Sequence, residues 1–278
     1  MVQAIKRPEE SGQMLTLVRE IVEGLNEIAG LEMVWKRGIL HTGGPHYRIK
    51  GSLSPISPGE DECFVLGRLI EAFKPRHSFI IGNGFGMSGT FVSKMMEEHG
   101  GSSVVTLDNR SEGDGEACYR TAAQISERMG CQILNNKWGW SPQDLAIAAV
   151  GNTYDLVLFD GDHSHPQVTR DFHGVQSVLS DDAILCWHYY WKEGVASCID
   201  EAGAVGYRCL KLNTSSELVL GTRSEERFQR LMGLFSDGET PVRRRRPVAY
   251  LKLYNAMLSG AVKTYFVKNQ AVYGNERH

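Results

Sequence analysis

Apolar residues in the middle of the chain fall into short unbroken runs, and each run is followed by a stretch with helical spacing. SFIIGNG at 78–84 is an apolar run stopped by glycine. SGTFVSKMMEEHG behind it reads as a helix, with Gly100 as its stop. The β-branched run SVVTLDN at 103–109 ends in a carboxylate, and EACYRTAAQISERMG predicts a helix closed by Gly130. CQILNN at 131–136 predicts another strand. SPQDLAIAAVG at 141–151 predicts a helix capped by Ser141, with Pro142 at its first position. YDLVLFDGDH, from residue 154, is the clearest buried strand of the chain. Helical spacing returns over 165–179, a strand over AILCWHYYW at 183–191, and a helix over 195–206. YRCLKLN and SELVLGT then close the series as an antiparallel hairpin.

Strands alternating with helices at this spacing predict an α/β fold. The expected form is a Rossmann-like, doubly wound sheet, mostly parallel with an antiparallel last strand, and helices on both faces. FII, VVTL and LVLF are continuous apolar runs, as strands covered on both sides require. Two flanks lie outside the rhythm. Residues 1–75 form an N-terminal helical or lid segment. It carries the amphipathic helix QMLTLVREIVEGLNEIAG, a Gly/Pro/Ser-rich loop at 38–61, and a second helix, ECFVLGRLIEAFK. Residues 76–222 form the ligand-binding core. Residues 223–278 form a C-terminal helical and aromatic extension, with a basic run from Arg243 to Arg246 read as solvated surface or a subunit contact.

Composition narrows the classes. The chain has 278 residues, a formal charge of -3 and 42% hydrophobic residues, ordinary values for a globular protein. A near-neutral balance gives no general attraction to nucleic acid or to an anionic membrane. No apolar run approaches the ~20 residues of a membrane span, and the N-terminus lacks the apolar stretch of a secretory signal. Six cysteines without a CxxC pair predict reduced thiols, mostly packing residues, and a cytoplasmic location. The apolar tail after Pro247 predicts packing on the core or on a second copy, and so a homo-oligomer.

Four glycines in eight residues, Gly82 to Gly89, stand at the first strand-to-helix turn, where a doubly wound sheet holds its ligand. Gly84 to Gly89 fits GxGxxG, the dinucleotide fingerprint, whereas Gly82 to Gly86 fits GxGxG. Both patterns expect an acid at the tip of the next strand, and Asp108 fills that position. The loop alone leaves a nicotinamide-dependent oxidoreductase open.

GxGxG, together with YDLVLFDGDHS at 154–164 and the closing hairpin, resembles the class I S-adenosylmethionine-dependent methyltransferases. The likeness is to a subfamily with a DGDHS motif that includes O-methyltransferases of small molecules and natural products, and it spans about residues 55–222. The resemblance implies S-adenosylmethionine as cofactor and a small-molecule acceptor. Gly82, Gly84 and Gly86 would lie under the methionine part, and Asn83 and Ser88 would also bind the cofactor. Asp108, with Asn109 beside it, would accept the ribose hydroxyls, since an ionised carboxylate accepts two donors at once. Trp138, Gly139 and Trp140 would edge the adenine, and Asp160 would reach the cofactor ammonium, a metal or the substrate.

In-line methyl transfer requires alignment and removal of a proton from the acceptor. The metal-dependent branch of the family holds magnesium with oxygens from the fourth and fifth strand ends, and Asp160 stands in the first such position. At the fifth strand end this chain has CWHYY instead, and histidine and tyrosine are poor magnesium ligands. Asp160, Asp162, His163 and His188 are candidates for a softer metal. Without a metal, His188 is the first candidate for general base and His163 the second. Asp162 also reads as a cap for the following helix, and His165 and His173 as surface or packing residues. The loop at 38–61 is expected to drape over the site with His41, His46 or Tyr47. A third reading is a cofactor-binding scaffold that has lost catalysis.

Overall fold

A computed structural model describes residues 8–29, 33–36, 39–42, 58–109, 115–214, 216–235 and 268–269. The elements run α1 (Pro8–Ala29), β1 (Met33–Lys36), β2 (Ile39–Thr42), α2 (Glu60–Phe73), β3 (His77–Ile81), α3 (Met87–Glu98), β4 (Ser103–Asp108) and α4 (Gly115–Arg128). They continue with β5 (Leu134–Trp138), α5 (Leu145–Ala148), β6 (Tyr154–Phe159), α6 (His165–Val175), β7 (Leu179–Trp187) and α7 (Glu193–Ala204). The last are β8 (Arg208–Asn213), β9 (Val219–Thr222), α8 (Glu225–Phe235) and β10 (Lys268–Asn269).

The main sheet has the order β10-β8-β9-β7-β6-β3-β4-β5. β7, β6, β3, β4 and β5 are mutually parallel. β9 inserts antiparallel between β7 and β8, and β10 pairs antiparallel with the outer edge of β8. The chain steps outward from β3 to β5 and returns to place β6 on the other side of β3. The carboxyl ends of β3 and β6 therefore flank the topological switch point, where doubly wound sheets bind their ligands.

Side chains alternate across the sheet into two cores. Ile80, Val104, Leu158 and Cys186 face one way and pack with α1, α2, α3, α4 and α8. Phe79, Ile81, Val105, Val157 and Trp187 face the other way and pack with α5, α6 and α7. The helices flanking the alternating pattern thus share a core with the sheet.

Four differences from the sequence expectation have local causes. Asp144 closes a turn on Trp140, accepting its N–H at 2.7 Å, so α5 begins only at Leu145 and is a single turn. β7 begins at Leu179, because Leu179 pairs with Tyr154 before a bulge that absorbs Ser180, Asp181 and Asp182. Those polar residues break the apolar pattern without ending the strand. β5 extends to Trp138 because it is an edge strand, where Asn135, Asn136 and Lys137 are tolerated. Residues 33–36 and 39–42 pair as a hairpin, so part of the expected loop is strand. His46, Tyr47 and the run Arg243 to Arg246 lie outside the described residues.

Candidate active site

After β3 the chain turns through Gly82, Gly84 and Gly86, all with positive φ, and α3 starts at Met87 with Gly86 as its N-cap. Their surroundings differ. A Cβ on Gly82 would lie 2.3 Å from the Asp160 carbonyl oxygen, so the end of β6 crosses directly over it. A Cβ on Gly86 would lie 2.7 Å from Cα of Ala122, where α4 packs. At Gly84 a Cβ would meet nothing within 4 Å. Protein packing thus demands two bare positions, and the middle one leaves open space against the backbone. That combination fits a nucleotide-bearing cofactor lying along the turn.

The turn is tied to the tip of β4. Asp108 Oδ2 accepts the N–H of Asn83 at 2.7 Å and of Gly84 at 2.6 Å. The Asn83 side chain turns inward: Oδ1 accepts the Gly89 N–H at 2.9 Å and Nδ2 donates to Asn136 Oδ1 at 2.9 Å. Asn136 Oδ1 also accepts the Thr106 hydroxyl at 2.8 Å. Asn83 therefore reaches the ligand face with its backbone, while its side chain braces the turn.

The predicted adenine edge lies beside Asp108. Trp138 pairs in register with Asp108, and the Gly139 N–H donates to the Asp108 carbonyl at 3.2 Å. Trp138 and Trp140 are 54% and 56% exposed, and the Trp138 ring meets Tyr119 at a centroid distance of 5.8 Å. Gly139 itself is required by packing, since a Cβ would lie 2.8 Å from Asp144 Oδ2. Asn109 is partly exposed next to Asp108, and Ser88 is buried, donating to Asp160 Oδ2 at 3.5 Å.

At the ends of β6 and β7 the geometry is less expected. His188 is buried with carboxylates on both ring nitrogens. Nδ1 lies 2.6 Å from Asp160 Oδ1, and Nε2 lies 2.7 Å from Glu62 Oε2. Burial alone would lower the His188 pKa, but Asp160 and Glu62 outweigh it and push it up to about 10. Glu62 comes from the first turn of α2. Its Oε2 also accepts the Gly59 N–H at 3.0 Å. Its Oε1 accepts Thr214 Oγ1 at 3.0 Å, the Ser216 N–H at 3.1 Å and the Ser216 hydroxyl. Burial would raise the Glu62 pKa, yet His188 and these donors bring it below the ordinary carboxylate value.

This corrects the leading base assignment. A base needs an unprotonated nitrogen, and both nitrogens of His188 donate to carboxylates. His163 differs. Burial, then the charges of Lys192 and His188, hold its pKa well below the usual histidine value, so the ring is neutral. Lys192 Nζ lies 3.3 Å from His163 Nδ1, and His163 Nε2 stands 3.8 Å from Asp160 Oδ1. Lys192 also lies over the Tyr189 ring at 4.8 Å, and Tyr189 packs edge-on against His163.

Asp160, His163 and His188 come together, with one donor atom from each within 4.8 Å of the others. Asp162 is not part of that group; its Oδ1 accepts the N–H of Ser164, the residue at the N-cap position of α6, at 2.8 Å. His165 and His173 lie on the surface against Glu201. Two site residues escaped the sequence reading. Lys192 follows the aromatic run at once and was legible as a nearby cation. Glu62 carried only the signal of a helix start, an acid three residues after Gly59.

The strand order, the glycine turn and its anchoring acid define a Rossmann-like doubly wound fold with a nucleotide-type ligand turn. Residues 79–190 match the family model described as a methyltransferase domain. Three solved structures are similar at 12% identity. The O-methyltransferase TomG of Streptomyces achromogenes, in complex with S-adenosylmethionine and involved in tomaymycin synthesis, gives a TM-score of 0.54, covering 79% of this chain and 92% of its own. The SAH-bound Podospora anserina methyltransferase PaMTH1 gives 0.52, covering 80% and 98%. The Bacillus cereus O-methyltransferase in complex with SAH gives 0.51, covering 79% and 93%. At that identity the likeness is one of fold. No curated protein matches the chain in sequence.

Proposed function

We propose that this chain binds S-adenosylmethionine along the glycine turn and directs methyl transfer to the hydroxyl of a small molecule. The observation carrying this reading is the Gly84 backbone, open on one side, with its own N–H and that of Asn83 bound to Asp108 Oδ2. When bound, the cofactor supplies an electrophilic methyl group on its sulfonium. Gly82, Gly84 and Gly86 keep side chains away from it, Asp108 and Asn109 stand at the ribose, and Trp138 and Trp140 flank the adenine. A nicotinamide-dependent oxidoreductase is not favoured, because the family match and the three similar structures named above are methyltransferases.

Proton removal falls to His163. With the Lys192 ammonium donating to Nδ1, that nitrogen holds the lone pair of a neutral ring. An acceptor hydroxyl that displaces Lys192 gives its proton to Nδ1, and the ammonium stays beside the oxygen that is left. Trp191, 43% exposed, and Tyr189 supply an aromatic wall for a planar acceptor. Residues 76–222 serve as the catalytic core, with 1–75 and 223–278 as flanking segments. The six cysteines are thiols, in agreement with a reducing cytoplasm, and the apolar tail supports a homo-oligomer. No helix among the described residues is long and apolar enough to cross a membrane.

The test is calorimetric. Saturable S-adenosylhomocysteine binding with no response to NADH supports the reading; NADH binding without S-adenosylhomocysteine binding removes it. With an accepted hydroxyl substrate, His163→Gln is expected to keep cofactor affinity and lower turnover about 100-fold or more, the usual contribution of a general base.

A further inference from the structure

The resemblance puts a divalent ion at the ends of β6 and β7, and Asp160, His163 and His188 gather there. The donor chemistry does not suit one. A histidine ligand presents a lone pair to the metal. His188 presents carboxylate partners to both ring nitrogens, at 2.6 Å and 2.7 Å, and two ionised carboxylates have no proton to donate. Both ring nitrogens therefore carry hydrogen, and the ring is a cation. Displacing it would leave Glu62 as an unpaired charge in a site where it is 1% exposed, a costly state for a buried carboxylate.

We propose that Glu62 holds His188 as a built-in cation against Asp160, in the place a divalent ion would take, and thereby fixes Asp160 from the N-terminal segment. Glu62 is a positioning residue: it touches His188, not the ligand face. Its carboxylate is held by Gly59, Thr214 and Ser216 as well as His188. It thus links the start of α2, the end of β7 and the β8–β9 connection. The His188 N–H donates to the Phe159 carbonyl at 3.2 Å, so the backbone fixes the ring's origin too. Two carboxylates around one imidazolium leave one net negative charge. Asp160 carries it toward Ser88 and the glycine turn, where the positively charged methionine end of the cofactor would lie. That last role rests on the methyl-transfer reading; the clasp itself does not.

Two measurements on the full-length protein test the clasp separately from that reading. In ¹H–¹⁵N spectra of histidine-labelled protein at pH 7.5, His188 is expected to show both ring nitrogens protonated. Titration with manganese or zinc chloride is expected to show no stoichiometric binding that depends on His188. An unprotonated His188 nitrogen, or one equivalent of metal bound and lost in His188→Gln, overturns the proposal. Glu62→Gln keeps the shape and removes the charge. It is expected to abolish the doubly protonated signature at pH 7.5 and weaken S-adenosylhomocysteine binding about 10-fold, the lower range for a charged hydrogen bond. Unchanged His188 signals in that variant also overturn the proposal. If Glu62→Gln does not fold, the wild-type spectra and metal titration still decide. A protonated His188 in a protein that ignores S-adenosylhomocysteine upholds the clasp and removes the methyltransferase reading instead.

Discussion

Asp108 Oδ2 accepts the backbone N–H of Gly84 at 2.6 Å, joining the tip of β4 to the turn that leaves β3. One carboxylate oxygen thereby holds a turn in which three of the five residues from Gly82 to Gly86 are glycine. The turn is shaped before any ligand arrives, which lowers the ordering cost of binding. Replacing Asp108 with alanine is expected to weaken S-adenosylhomocysteine binding about 10- to 100-fold, as for loss of hydrogen bonds to a charged group. Asp108→Asn, which keeps an acceptor for the turn, is expected to fall between. Calorimetry on the two variants checks the order.

The glycines of the turn are expected to separate by mechanism. Gly82→Ala drives a Cβ into the backbone of Asp160 and is expected to prevent stable folding. Gly84→Ala meets no atom but must hold φ of 48°, at a cost of about 1–2 kcal/mol. It is expected to fold, with a modest loss in urea denaturation, and to bind cofactor at least about 10-fold more weakly, because the methyl group occupies the ligand's approach.

Stability should follow His188 on the alkaline side. Its pKa rises from 6.5 to about 10 on folding, so its contribution is complete below pH 6.5 and is lost as pH climbs toward 10. Above pH 9 the buried thiols of Cys186, Cys198 and Cys209, raised by burial, add to the loss, because only the unfolded chain ionises them easily. On the acid side His163, lowered by burial, contributes above pH 6.5 and loses that contribution as pH falls. Asp171 opposes it: burial raises its carboxyl to about 6, and its contribution disappears as pH rises from 3.8 through 6. Urea midpoints are expected to peak near pH 6–7 and to decline steadily from pH 7 to 9. Glu62→Gln, which removes one of the charges raising His188, should make that decline shallower and complete it at lower pH.

Asn83→Ala removes the acceptor of the Gly89 N–H and the donor to Asn136, both inside the turn. Leaving buried groups unpaired costs about 1–3 kcal/mol. The expected result is that loss in urea denaturation, together with weaker cofactor binding, since Asp108 would then hold a looser loop.

Much of the core was readable because its signals are local. Apolar runs such as LVLF and VVTL state burial directly, and glycine clusters state what the backbone must do there. Elements at the margins were harder. The bulge at Ser180 to Asp182 hides a strand behind polar residues, and the polar edge strand β5 presents an exposed face. The helix expected at 141–151 shrank to one turn because Asp144 bonds back to Trp140, a side-chain choice that competes with helix formation.

The sequence by itself determined the alternation of strand and helix, the bare first turn and the acid in register at the second strand tip. Each follows from side-chain period or backbone freedom within a few residues. Only the tertiary structure decided the state of His188. Glu62 lies 126 positions before it along the chain and reaches it only because α2 packs against the end of β7. A histidine's charge depends on what stands within hydrogen-bond distance of each nitrogen, and that neighbourhood exists only once the chain is folded.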